Sequence, residues 1–251
     1  MKRLARGFSF AWRGIAHLAG RSSLWKIAVL PIVLNIVLFV IGIVVYVHFF
    51  PDLLAKFMSR PDVWYMWIVY VLVIILLVAA FALFIVFGFT AVGCALAGPF
   101  LDLLSEKVER QLGREEPERT LRQALSGMTR GLIFSLVTLA LFVASQLFVL
   151  ALWLLPVVGQ IASAVLGPLA GAYFFAAEFF DFPLGRRGLS SRARYRFVNR
   201  HRAEAVGFGL AVFLTTLIPL LNFFMLPAAA VGATLLVRAL EEDEVRASAA
   251  R

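Results

Sequence analysis

Four stretches of this chain contain no Asp, Glu, Lys or Arg: residues 27–51, 63–101, 131–177 and 205–237. Each exceeds the roughly 20 residues that a helix needs to cross about 30 Å of hydrocarbon. A soluble fold cannot hide four such stretches. The composition agrees: 62% of the residues are hydrophobic and 16% are charged, against about a quarter charged in soluble domains. The chain is expected to be an integral membrane protein. It is expected to be all-α, because the strands of a spanning barrel alternate in polarity and these stretches do not.

The formal net charge is +9. No Lys/Arg run is interleaved with base-stacking aromatics, so no nucleic-acid partner is expected. The basic residues read instead as flanks of membrane segments on the cytoplasmic side. Six lie in residues 1–26, six in 101–130, seven in 181–204 and three at the C-terminal end. Only two, Lys56 and Arg60, fall in residues 51–62. That segment is therefore the outside loop, and both termini are expected in the cytoplasm.

The third and fourth stretches are interrupted. Residues 218–227 read IPLLNFFMLP, with Pro219 and Pro227 on either side of Asn222. Divided at these prolines, the arms 205–218 and 228–237 would reach only about 21 and 15 Å as helices. Neither crosses the hydrocarbon, so the expectation is a hairpin that enters and turns back. Proline frees a carbonyl at its tip, and such backbone is tolerated at depth only inside protein or beside water. Residues 131–180 repeat the logic, with Pro156, Gly159 and Gln160 at the tip. The alternative for 205–237 is one kinked spanning helix, which would carry the acidic EEDE tail outside.

The expected layout is a single membrane domain over 1–251. It has an amphipathic N-terminal segment (1–26) on the membrane surface, with Leu4, Phe8, Ile15 and Leu18 as its apolar positions. Two long transmembrane helices follow, at 28–50, with Pro31 in its first turn, and at 63–97. Amphipathic cytoplasmic helices occupy 98–130. Two half-inserted helical hairpins, 131–180 and 205–238, flank a basic segment at 181–204, and 239–251 is a tail. The N-terminus has no cleavable-signal pattern, so the first span is expected to stay as an anchor.

Few residues point to chemistry. Arg21, Ser22, Ser23 and Lys26 stand at the start of a helix, where N–H groups and the dipole favour an anion. The alternative for them is plain anchoring at the membrane flank. Glu178 lies beside an apolar arm, where acids are costly and often functional; the alternative is an interfacial residue. In 98–112, Leu101, Leu104, Val108 and Leu112 share a face. Asp102, Glu106, Glu109 and Arg110 point away from it, and Glu106 and Arg110 form an i,i+4 pair. Glu178, Glu106 and Arg110 are the candidates for a pathway or proton site. The lone Cys94 and the scattered His17, His48 and His201 make no metal set, and no cofactor is expected. There is no HExxH, Walker A or GxSxG pattern; neither an enzyme nor an ATP-driven pump is expected.

Three stretches carry a resemblance: LPIVLN (30–35), GPFLDLLSEKVERQL (98–112), and the run from LPVVGQ (155–160) through FFDFPL (179–184) to IPLLNFFMLPAAAVGATLL (218–236). In this order they resemble the etoposide-induced-protein-like membrane family, in its branch of CysZ-type sulfate permeases. The resemblance implies two long transmembrane helices, two half-inserted hairpins and a homo-oligomer in the bacterial inner membrane. It implies uptake of sulfate, or sulfite, for cysteine biosynthesis, channel-like or proton-coupled. The alternative is a membrane scaffold or envelope-maintenance protein of the same family. The family's anion motif, of Gly-Leu/Ile-Arg-Arg type, falls on Ser23, Leu24, Trp25 and Lys26. Here one positive charge is kept, at Lys26, and Trp25 stands in place of the other.

Overall fold

A computed structural model describes residues 1–57, 63, 67, 70–75, 77–78, 98–114, 121–216 and 219–250. Among the described residues every regular element is helical. In chain order they include α1 (Lys2–Ala19), α2 (Ser22–Phe57), α3 (98–111), α4 (Leu121–Ala151), α5 (Val158–Arg186), α6 (Ser191–Arg200), α7 (Arg202–Thr216) and α8 (Pro219–Ala249). A single 3-10 turn, Leu152–Leu154, separates α4 from α5. Among the described residues, three helical segments are long and apolar enough to cross a membrane: Thr129–Leu154, Val158–Arg186 and Phe224–Ala249.

The chain divides into two compact units, residues 1–28 with 101–251, and residues 29–100. In the second unit, Val33, Phe39, Val44 and Val47 lie exposed along α2, and Trp67 meets Tyr70 edge to face at 5.4 Å. Most of the expected span 63–97, including Gly88 and Gly93, lies outside the described residues.

In the first unit, α1 packs across α7 and α8, and α5 lies against α7, α8 and α4. Glycines set this close approach. A Cβ at Gly7 would overlap the Glu204 carbonyl, and one at Gly14 the Ala228 carbonyl. Phe10, Ala11 and Leu18 of α1 are buried against α7 and α8. Of the expected apolar positions, Leu18 is buried, Phe8 and Ile15 are half-buried and Leu4 is exposed.

The helix α4 and the helix α5 run antiparallel. The Ser163 hydroxyl donates to the Val149 carbonyl (2.8 Å), and the Gln146 amide to the Gly167 carbonyl (3.4 Å). The reversal comes at residues 155–157, with Pro156 in the turn and Val157 at φ 63°. Gly159 sits against the Leu152 carbonyl, and a Cβ there would overlap it. Gln160 is exposed in the first turn of α5.

Four boundaries differ from the sequence reading. The helix α2 starts at Ser22, so Pro31 is well inside it rather than in its first turn. Within the expected cytoplasmic helices of 98–130, residues 121–130 form no separate helix, because α4 runs without a break from Leu121 through Gly131. The region after 239 is not a tail but the last turns of α8. The fourth concerns Pro227, which does not end a helical arm: it is buried within α8. A proline deletes one backbone hydrogen bond, but Ala228, Ala229, Ala230, Val231 and Ala233 around it are all buried. Packing on that scale outweighs a local breaker. Pro219 is the first residue of α8, where the missing N–H costs nothing, and Asn222 follows one turn later. The helices α7 and α8 nevertheless run antiparallel, because His201, just before α7, reaches Glu244 near the end of α8 at 3.0 Å.

Candidate anion-binding site

The start of α2 is held by the first unit's core. Leu24 and Ala28 are fully buried with Leu18, Leu104, Val108, Ala228 and Val231. Trp25 packs edge to face on Phe224, with ring centroids 6.2 Å apart. These anchors aim the remaining side chains of residues 21–26 outward. Arg21, Ser22 and Lys26 are exposed and Ser23 is half-buried.

The helix α3 completes the site. The Lys107 ammonium donates to the Ser23 carbonyl (2.9 Å), and the Gln111 amide to the Ser23 hydroxyl (3.2 Å). Ser23 thus keeps its own O–H as a donor. The Arg21 guanidinium donates to His17 Nδ1 at 2.8 Å. Arg21, Ser22, Ser23 and Lys26 thus stand at or next to the start of α2 with Lys107 held against Ser23, and a helix N-terminus of positive character of this kind favours an anion. Lys107 and Gln111 were not legible as site residues, since their partner lies 84 and 88 positions away.

Burial and the nearby Arg21 charge push the His17 pKa down, and the Gln111 side chain beside the ring opposes this. Because arginine only donates, Nδ1 is the acceptor and the imidazole proton sits on Nε2.

Glu106 and Arg110 pair at 2.6 Å on the outer side of α3. Glu109, expected on a solvated face, is instead buried. Its carboxylate accepts from Arg186 (3.3 Å) and Arg187 (3.2 Å). Arg186 also donates to the Asp102 carbonyl and the Ser105 hydroxyl, and Ser105 meets Thr234 at 2.6 Å. Arg187 pairs in addition with Glu241. This cluster ties α3, α5 and α8 together.

Glu178 lies on α5, apart from the Glu106–Arg110 pair on α3, and accepts a hydrogen bond from Ser135 of α4. One turn on, Asp181 pairs with the buried Arg194 of α6. Tyr195 contacts the Thr138 hydroxyl at 2.6 Å and stacks on Phe134 at 5.0 Å. The helix α6 thus straps the base of the α4–α5 pair. Arg186, Arg187 and Arg194 are spent on these buried pairs and are not free to gather anions, as a solvated basic segment would be.

A protein whose described residues are helical throughout, with three helical segments among them long and apolar enough to span, belongs to the class of membrane proteins. The chain is a member of the sulfate transporter CysZ/etoposide-induced protein 2.4 family, whose pattern matches residues 10–227. It is 27% identical over 212 residues to a sulfate transporter CysZ of Pectobacterium atrosepticum, covering 83% of this chain and 76% of that protein. A Pseudomonas fluorescens protein of the same name is 34% identical over 59% of this chain and 60% of its own length. One from Vibrio cholerae is 29% identical over 91% of both. The names borne by these relatives are those of transporters, not enzymes.

Proposed function

We propose that this chain is an anion permease of the bacterial inner membrane that takes up sulfate for cysteine biosynthesis. The observation that supports the reading is that Lys107 and Gln111 of α3 are held on Ser23 at the start of α2, beside Arg21, Ser22 and Lys26, which are exposed. It joins a donor set suited to an oxyanion to relatives that are named sulfate transporters. No nucleotide-binding loop exists to drive transport. Bringing a divalent anion in against an inside-negative potential costs roughly 4.6 kcal/mol per 100 mV. Entry is then either channel-like, drawn by consumption inside, or coupled to a proton. Glu178, which meets a hydroxyl rather than a cation, is the proton candidate; Glu106 and Arg110 line the approach along α3.

The proposed topology has two long transmembrane helices, two half-inserted hairpins, cytoplasmic termini and a homo-oligomeric assembly. The helix α7 has 15 residues, about 22 Å, too short to span. The strongly apolar window of α8 is 67% buried within the protein, as expected of a helix that faces protein more than lipid. For the first hairpin, α6 bears exposed Arg192 and Arg196 and straps α4 at Phe134 and Thr138. Arginines of that kind stay out of hydrocarbon. Only residues 139–154 of that arm then enter it, about 24 Å against about 30 Å.

The test is flux of labelled sulfate into proteoliposomes holding the purified chain, with sulfite and chloride for comparison. Sulfate flux lost in Lys26→Ala and Arg21→Ala is the expected result. Purified protein that binds no oxyanion would sink the proposal. It would favour a membrane scaffold, a reading for which Trp25, packed on Phe224 where the family motif carries a cation, already speaks.

A further inference from the structure

The helix α6 is amphipathic, and the packing of the chain accounts for only its inner side. There Val198 and Arg194 are buried, and Arg194 pairs with Asp181 of α5. Tyr195 lies on Phe134 and meets the Thr138 hydroxyl of α4. Asn199 Oδ1 accepts from the Tyr173 hydroxyl of α5 at 2.9 Å. The helix is thus fixed to α4 and α5 at the level of Thr138. Its outer side carries Arg192, Arg196 and Arg200, all exposed and spaced by four residues, about 6 Å along the helix. Arg200 is engaged, donating to Glu244 at 2.9 Å. Arg192 and Arg196 have no carboxylate partner among the described residues.

The depth of these two arginines follows from their neighbours. Thr138 stands at the edge of the stretch of α4 assigned above to hydrocarbon, and Leu139, Leu141, Val143 and Leu147 beyond it are exposed. Tyr173 and Tyr195 each set a ring against a phenylalanine and a hydroxyl on a polar group. Tyrosines of that kind collect at headgroup depth. Arg192 is one turn before Tyr195 and Arg196 is next to it, so both stand where lipid phosphates lie. Guanidinium forks match phosphate oxygens. A zwitterionic headgroup brings its own cation to such a place and an anionic one does not, so charge complementarity selects the anionic lipid.

We propose that Arg192 and Arg196 bind the phosphodiester of an anionic phospholipid, whose acyl chains lie along the exposed apolar side of α4 beyond Thr138. Because α6 is fixed to α4 and α5, a lipid held there sets how deep the α4–α5 hairpin sits. The proposal rests on the topology given above for the base of that hairpin, and not on sulfate as the cargo.

The test uses the full chain purified in detergent, titrated with phosphatidylglycerol or with phosphatidylcholine of identical acyl chains, and read by native mass spectrometry. Phosphatidylglycerol should bind roughly twenty-fold more tightly, since each arginine at an anionic headgroup is worth about five-fold. Arg192→Gln alone should lose about five-fold of that preference, and Arg192→Gln/Arg196→Gln nearly all of it. Arg200→Gln removes the same charge from the same helix, but one already held by Glu244, and should keep the preference. Equal binding of the two lipids by the unaltered chain overturns the proposal without recourse to any variant. So does a preference that survives in the double variant. A loss in Arg200→Gln as large as in Arg192→Gln overturns it too, since the effect is then diffuse charge and not a site. Inorganic phosphate that displaces phosphatidylglycerol at equal concentration also overturns it, leaving a site for a free anion. Sulfate flux by the unaltered chain is measured separately, so the permease reading stands or falls on its own result.

Discussion

Arg186 and Glu109 form an ion pair at 3.3 Å with side chains only 1% and 2% exposed. Neither charge has water to fall back on, so the pair survives on its hydrogen bonds: Ser105 and the Asp102 carbonyl for Arg186, and Arg187 for Glu109. Removing one partner strands the other. Glu109→Leu is expected to cost about 3–5 kcal/mol, read as a lower midpoint in urea or heat unfolding of the detergent-solubilised chain. The double variant Glu109→Leu/Arg186→Met should recover part of that loss. A single variant as stable as the parent would show that the cluster carries no strength.

The docking of α1 makes a second expectation. Gly14 touches the Ala228 backbone, with Gly232 beside it, so Gly14→Ala inserts a methyl where backbone already lies. Overpacking of this kind costs about 1–3 kcal/mol. Melting should fall and trypsin should cut sooner at Arg13 and Arg21. If α1 merely rested on lipid, neither would change.

How far these contacts were legible depends on how far apart their partners lie. The Glu106–Arg110 pair is local, one helical turn, and spacing alone predicts it. Glu109 sits next to the same apolar stripe, yet reads as solvated because a buried carboxylate looks like an exposed one until its arginines, 77 and 78 positions on, are known. The amphipathic face of α1 was legible, but not what covers it: periodicity reports that a face is apolar, and lipid and α7–α8 satisfy it equally. Pro156 and Pro227 carry the same local signal. The first lies in an exposed turn and the second among buried alanines, so only tertiary packing separates a break from a continuous helix.

The pH dependence follows from His17. Burial first, and Arg21 second, depress its pKa below the ordinary 6.5. The unfolded chain therefore takes up this proton at a higher pH than the folded one. Stability from the group is complete above about 6.5 and declines as pH falls below it toward the depressed value. The stability of the parent minus that of His17→Gln should thus shrink as pH falls from about 7.5 to about 5.5. A flat difference would mean that the fold, by burial and by Arg21, does not hold the ring neutral.

Lys107 is the residue of the proposed site that only the fold reveals. Its ammonium sits on the Ser23 carbonyl at the start of α2. Losing a charged hydrogen bond costs about 1.5–3 kcal/mol, so Lys107→Ala should weaken sulfate binding by roughly ten-fold or more, as Lys26→Ala should. Equilibrium binding of labelled sulfate decides it. Affinity lost at Lys26 but intact at Lys107 would shrink the site to residues 21–26.

The depth of the first hairpin is open to a chemical probe. Leu154 and Val157 flank its turn and are exposed, so single cysteines there, in a Cys94→Ser background, report what surrounds the tip. A half-inserted hairpin leaves them buried in the slab or in a neighbouring copy. A membrane-impermeant maleimide applied outside intact spheroplasts should then fail to label Leu154→Cys and Val157→Cys. The same reagent should label Ser59→Cys, placed in the weakly basic 51–62 segment. Detergent should make the tip cysteines reactive, proving that they are present. Rapid labelling of the tip from outside, at the rate of Ser59→Cys, would mean that α4 and α5 cross completely, and the two-span arrangement would have to give way to one with four.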